Sequence, residues 1–184
     1  VTTGYIILLL SLCATVFLVK DRHLIVPIVV AMCFLPGDIA INIGGLNFQA
    51  LRIIALVCLL RIYLNFNSSF VKFNTIDILF ILYNISGSVI YVVASHNIAG
   101  AFIYKSGIFV DSIILYIVLR KIIQSKEDLI LIIKTFCVCV IVLLPFAMYE
   151  FYMAENLFSI LGRSRIAIRD GAVRAACSFS HPIL

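Results

Sequence analysis

Leu129 to Tyr149 reads L-I-L-I-I-K-T-F-C-V-C-V-I-V-L-L-P-F-A-M-Y. A transmembrane helix needs about 20 predominantly apolar residues, and this run supplies one, with Pro145 as the place where it would bend. Working back along the chain, comparable apolar runs lie at 101–119, 76–94 and 51–66, and another opens the sequence at 4–19. The run at 24–36 is irregular. It is broken by Pro27, closes on Pro36-Gly37, and is too short to cross unless it tilts or works with the residues after it. That next stretch, G-D-I-A-I-N-I-G-G-L-N-F-Q, alternates Ile39, Ile41 and Ile43 with small or polar residues, the pattern of a strand or re-entrant segment at a membrane surface. The expectation is an all-α, polytopic transmembrane helix bundle of five to six spans, forming one integral membrane domain over 1–184. An outward-facing, arginine-rich loop over 150–182 continues from the last span.

Composition agrees with this class. The chain is 64% hydrophobic and 12% charged, with a mean hydropathy of +1.18, whereas soluble domains are roughly 45–50% apolar. Cys13, Cys33, Cys58, Cys137 and Cys139 sit inside apolar runs, where cysteine acts as a small hydrophobe, and neither a disulfide framework nor a C-x-x-C metal site is present. No Gly-rich phosphate loop, H-E-x-x-H helix or G-x-S-x-G elbow occurs, so nucleotide, zinc and serine mechanisms have nothing to use. No metal, cofactor or nucleic acid partner is expected. The first residue is Val1 rather than Met, and His181, Pro182, Ile183 and Leu184 read as the approach to a further span; a truncated, N-terminal fragment is expected. A cleaved signal peptide is a poor reading of residues 4–19, which lack a basic leader and a small-residue cleavage site.

Lys and Arg in alternate loops set the orientation. Lys20, Arg22, Arg61, Lys72, Arg120, Lys121 and Lys126 fall on one side, while 37–49 and 96–100 carry none. The basic side is expected to be cytoplasmic, which places 150–175 outside. Yet Arg163, Arg165, Arg169 and Arg174, four of the chain's 14 Lys and Arg, lie in that outward segment, where such residues are normally scarce. In an extended chain Arg163, Arg165 and Arg169 would share an edge. Guanidinium grips phosphate oxygens bidentately, so the row outlines a phosphate cradle; arginines holding membrane lipid headgroups are the other reading.

Beyond the arginine row, Asp111, Glu150 and His181 are candidates. Asp111 lies near the middle of the fifth run, where a charge costs roughly 2.5–3.5 kcal/mol on the lenient insertion scale, so it needs a partner, either as a structural pair or within a site. Lys105, in the same run, is close enough to the helix end to snorkel. Glu150 reads as a span-end cap, as a partner for an arginine, or more weakly as a catalyst. His181 precedes Pro182, a turn and span-entry signal, and is also the one histidine in the outward segment able to serve as a base.

Y-I-V-L-R at 116–120, F-A-M-Y-E at 146–150, I-G-G-L-N-F-Q-A-L-R at 43–52 and above all R-D-G-A-V-R-A-A-C-S-F-S-H-P at 169–182 give a chain that resembles the O-antigen ligase and O-antigen polymerase superfamily. The likeness extends weakly over the whole chain and is specific mainly in its last sixteen residues. Members are inner-membrane glycosyltransferases of about twice this length. They take glycan from an undecaprenyl-diphosphate carrier on the periplasmic side and pass it to a lipid A core sugar or a growing chain. The resemblance implies a metal-independent enzyme of O-antigen or exopolysaccharide biosynthesis in the bacterial inner membrane, inactive as this fragment alone. It implies Arg169 and Arg174 on the carrier's diphosphate; the residues themselves offer His181 as the candidate base and Arg163, Arg165, Glu150 and Asp111 as substrate-binding candidates. Two departures are that the family commonly has glycine where Cys177 stands, and that the half carrying its large periplasmic loop is missing. On a continuous helix Arg169 and Arg174 would point roughly 140° apart, so a turn at Asp170-Gly171 is needed to bring both onto one anion.

The rival class is a transporter or flippase of a lipid-linked anionic glycan. It would use the same arginines for recognition and would need a polar path through the bundle, with Asp111 and Lys105 as its candidates, of which only Asp111 lies clearly near the midplane. A structural membrane subunit whose arginines bind headgroups alone is a third reading.

Overall fold

The computed structural model describes residues 2–43, 46–64, 73–162, 167–169 and 172–179. Among them are six α-helices: α1 (Thr3–Leu18), α2 (Ile25–Phe34), α3 (Ala50–Leu64), α4 (Thr75–Val93), α5 (Ile98–Ile122) and α6 (Lys126–Met153). Two antiparallel hairpins accompany them, β1 (Ala40–Ile43) with β2 (Leu46–Gln49) and β3 (Ala167–Arg169) with β4 (Ala172–Arg174). The architecture is mostly helical, but the hairpins depart from a purely α chain.

Three helices, α4, α5 and α6, are long and apolar enough to cross a membrane. Their limits are written in polar residues. Ser125 and Asp128 form a capping box that starts α6: the Ser125 hydroxyl accepts from the Asp128 N–H at 3.2 Å and the Asp128 carboxylate accepts from the Ser125 N–H at 2.9 Å. Asn74 and Asp77 do the same for α4, and the Asn97 side chain caps α5 by accepting from the Gly100 N–H at 3.0 Å. These caps extend α5 and α6 beyond the apolar runs at 101–119 and 129–149, and α6 continues through Pro145.

The other helices have 16, 10 and 15 residues, below the roughly 17–25 of an ordinary span. After α2 the chain becomes extended at Leu35 and enters the β1–β2 hairpin, where Ile41 pairs with Phe48 and Asn42 with Asn47. Backbone groups that leave a helix at membrane depth must be paired, and a hairpin achieves this locally.

Packing runs in a row in which α4 lies on α5, α5 on α3, α3 on α1 and α2, and α2 on α6. Tyr5, Leu9, Leu12 and Val16 put one face of α1 into the core, a single cluster that also holds Ile25, Ile28 and Val29 of α2, Ile54 and Cys58 of α3, Val118 of α5, and Cys139 and Leu143 of α6. The reverse faces of α4, α5 and α6 carry exposed Ile, Leu, Val, Phe and Tyr. In lipid such faces cost nothing, and cohesion comes from close packing and polar pairs.

The ends of the bundle differ. One gathers charges into ion pairs: Arg22 with Glu127 at 2.8 Å and Asp128 at 3.2 Å, Arg61 with Asp21 at 2.8 Å, and Arg120 with the fully buried Asp77, which also accepts from the Tyr116 hydroxyl. A cavity of about 460 Å³ opens beside Asp21, Arg22, Glu127 and Asp128. The other end holds the β1–β2 hairpin, where the Tyr5 hydroxyl donates to the Ile39 carbonyl at 3.2 Å, and the segment after α6.

Candidate functional site: the arginine hairpin and its anchor

The chain leaves α6 through Ala154 in a left-handed conformation, φ 54°. A 3-10 turn, Leu157–Leu161, comes next; the Asn156 side-chain oxygen caps it by accepting from the Phe158 N–H at 2.8 Å, and Gly162 closes it at φ 99°, where glycine is the least strained residue. Phe158 is buried with its ring 5.6 Å from that of Phe146 on α6, which keeps the turn on the helix end.

Strands β3 and β4 lie beyond this turn. Their register pairs Ala167 with Arg174, Ile168 with Val173 and Arg169 with Ala172. Side chains alternate along a strand and cross-strand partners share a face. Positions 167, 169, 172 and 174 therefore lie on one face of the ribbon, with 169 and 174 as diagonal neighbours, typically about 7–8 Å apart. Arg174 is half-buried. The expected turn at Asp170-Gly171 falls outside the described residues, as do Arg163, Arg165 and His181.

Glu150, in the last turn of α6, is 1% exposed. It is neither a solvated cap nor ion-paired with a described arginine. One carboxylate oxygen accepts from the successive N–H groups of Ala176 at 3.2 Å and Cys177 at 2.7 Å; the other accepts from the Asn156 amide at 3.2 Å. Two neighbouring backbone donors on one oxygen make a small anion nest. The Asn156 amide also donates to the Cys177 carbonyl at 3.0 Å. Cys177 itself has φ 49°, the left-handed region in which a glycine would be relaxed. Beyond it the Ser178 hydroxyl donates to the carbonyl of Cys33 at the end of α2, and the Phe179 N–H returns to the Ala176 carbonyl at 2.8 Å. The segment after Arg174 is thus tied to α6, to the 3-10 turn and to α2.

Asp111 belongs to a second cluster. Arg52, near the start of α3, grips it with two nitrogens: Nε donates to Oδ1, and the second contact, to Oδ2, measures 2.6 Å. The remaining terminal nitrogen donates to the Asn47 carbonyl at 2.9 Å, and the guanidinium lies 5.4 Å from the centre of the Phe48 ring. Gly107 leaves room for it, since a Cβ there would stand 3.3 Å from Arg52. A cavity of about 170 Å³ beside the pair is lined by Gln49, Ala55, Ser112 and Leu115. Lys105 places its ammonium 4.5 Å from the centre of the Tyr91 ring, a cation–π contact between α5 and α4.

Two residues of these clusters escape a reading of the sequence. Asn156 serves three partners at once, and the hint of it is an Asn immediately ahead of an apolar turn. Arg52 stands in the sequence only as a charge at a helix end. Among the described residues no group of three or more His, Cys, Asp or Glu side chains is gathered as a metal site would require. Comparison with protein-family models, with curated proteins and with solved structures gives no match to this chain, so the chemistry of the hairpin and its anchor rests on geometry and residue type.

Proposed function

We propose that this chain acts in a bacterial inner-membrane glycosyltransferase that moves glycan from an undecaprenyl-diphosphate carrier to a lipid A core or a growing polysaccharide chain. The main support for this reading is the register of β3 and β4, which sets positions 169 and 174 diagonally on one face, a spacing suited to two guanidiniums on one diphosphate. The leaving group in such a transfer is already good, and its developing charge is what needs stabilising. Arginines supply this without a metal, and loss of one preorganised donor typically costs about 2.7–4 kcal/mol. The lysines and arginines of the loops at the opposite end of the bundle favour a periplasmic hairpin by the positive-inside rule.

The transporter reading draws less support, because its two candidates for a polar path are already engaged. Asp111 is held by Arg52, and Lys105 by the Tyr91 ring.

The test is polysaccharide output from cells expressing the protein with Arg169→Lys or Arg174→Lys, at matched protein level. Lysine keeps the charge and loses the planar fork. A drop of about 100-fold or more is expected for either; near-normal output from both would refute the diphosphate role and favour headgroup binding.

A further inference from the structure

We infer that Glu150 is the positioning residue of the arginine hairpin, a role that rests on the reading of Arg174 as a diphosphate ligand. Cys177 lies only a few positions beyond Arg174, and in that interval the chain passes from an extended strand to a nest closed on a carboxylate. Strand β4 has one paired neighbour among the described elements, β3, and a two-stranded ribbon is marginal on its own. Its place relative to the bundle comes from its packing on α6 and from the contacts that hold its ends. On the C-terminal side Glu150 gathers most of that hold, beside the Ser178 bond to Cys33: its carboxylate is donated to by Ala176, Cys177 and Asn156, all within 3.2 Å.

The chemistry requires a carboxylate. Ala176, Cys177 and Asn156 offer N–H groups and no acceptor toward residue 150, so the group there must accept on both oxygens. An amide accepts on one and would turn its NH2 against the Asn156 NH2. Asn156 cannot reverse without cost, because its oxygen already caps Phe158 and its nitrogen the Cys177 carbonyl. The buried charge is compensated by N–H dipoles, and the left-handed Cys177 completes the nest.

Two readouts on the purified protein in lipid nanodiscs test this. Amide exchange of segment 172–179, measured by mass spectrometry, reports the clamp without reference to function. Losing one hydrogen bond to a buried charge should raise the exchange rate of that segment by about tenfold to a hundredfold in Glu150→Gln, with α6 residues 136–144 unchanged as the control for folding. Binding of undecaprenyl diphosphate reports the positioning: Glu150→Gln should weaken it by about tenfold. Should Glu150→Gln not fold, Glu150→Asp keeps the charge but draws the carboxylate back from the nest by one methylene, and a shift in the same direction in the same two readouts is expected. Unchanged exchange over 172–179 in these variants overturns the clamp. Faster exchange with unaltered diphosphate binding overturns the positioning role. Failure of the unsubstituted protein to bind undecaprenyl diphosphate overturns the proposed donor, and the exchange result then still decides whether Glu150 holds the hairpin.

Discussion

Arg52 and Asp111 should behave as a single energetic unit. Their side chains are 17% and 31% exposed, and the contact is bidentate, with its second bond at 2.6 Å. Replacing Arg52 with leucine leaves a carboxylate near the middle of α5 with no cation, a cost of roughly 2.5–3.5 kcal/mol on the insertion scale. Replacing Asp111 with leucine leaves a guanidinium that retains the Asn47 carbonyl and the Phe48 ring, so about 2–3 kcal/mol is expected, below the usual range for a fully buried orphan. Removing both charges together exchanges the pair for apolar packing and should cost no more than about 1 kcal/mol. The singles sum to about 5 kcal/mol against about 1 for the double, which gives a coupling of about 4 kcal/mol. Titration of micellar protein with a denaturing detergent, monitored by circular dichroism, supplies the four free energies. Additivity of the two singles to within about 0.5 kcal/mol would refute the reasoning and reopen Asp111 as a group free to meet a substrate or a transported ion.

Asp77 is fully buried between Arg120, Tyr116 and the cap of α4, so Asp77→Ala should lower stability by about 3–5 kcal/mol in the same titration, and a loss under about 1 kcal/mol would show that Arg120 finds another acceptor. For orientation, single cysteines introduced at positions 164 and 124 on a cysteine-free background should be labelled by a membrane-impermeant maleimide at 164 and protected at 124; the reverse pattern would place the arginine hairpin on the cytoplasmic side and remove the carrier reading.

The helices were legible because lipid imposes a simple requirement. Apolar runs of span length satisfy their backbone groups in hydrocarbon as helices, and the runs at 76–94, 101–119 and 129–149 correspond to α4, α5 and α6. Their true limits lie in S-K-E-D at 125–128 and N-T-I-D at 74–77, where a small polar residue and an acid three positions later close a capping box. The alternation of Ile39, Ile41 and Ile43 likewise marked a strand, since period two survives in any environment. The number of crossing segments was not written in the runs, because α1, α2 and α3 are short and a hairpin stands between the last two.

The candidate site was legible in proportion to how far its interactions depend on side-chain identity. Asp111 announced a need for a cation, and Lys105 was the nearest one in sequence. Six residues turn a helix by about 600°, leaving the two side chains roughly 120° apart on α5, so the partner had to come from another element. The choice of Arg52 came from the packing of α3 on α5, which no local pattern encodes. Glu150 is the harder case, since two of its three donors are backbone groups that every residue but proline possesses. The trace it leaves in the sequence is indirect. A nest needs a left-handed residue, and Cys177 stands at φ 49°, a conformation more often taken by glycine. The fold accepts cysteine at a position whose backbone a glycine would suit because Glu150, Asn156 and Ser178 hold the segment from three sides.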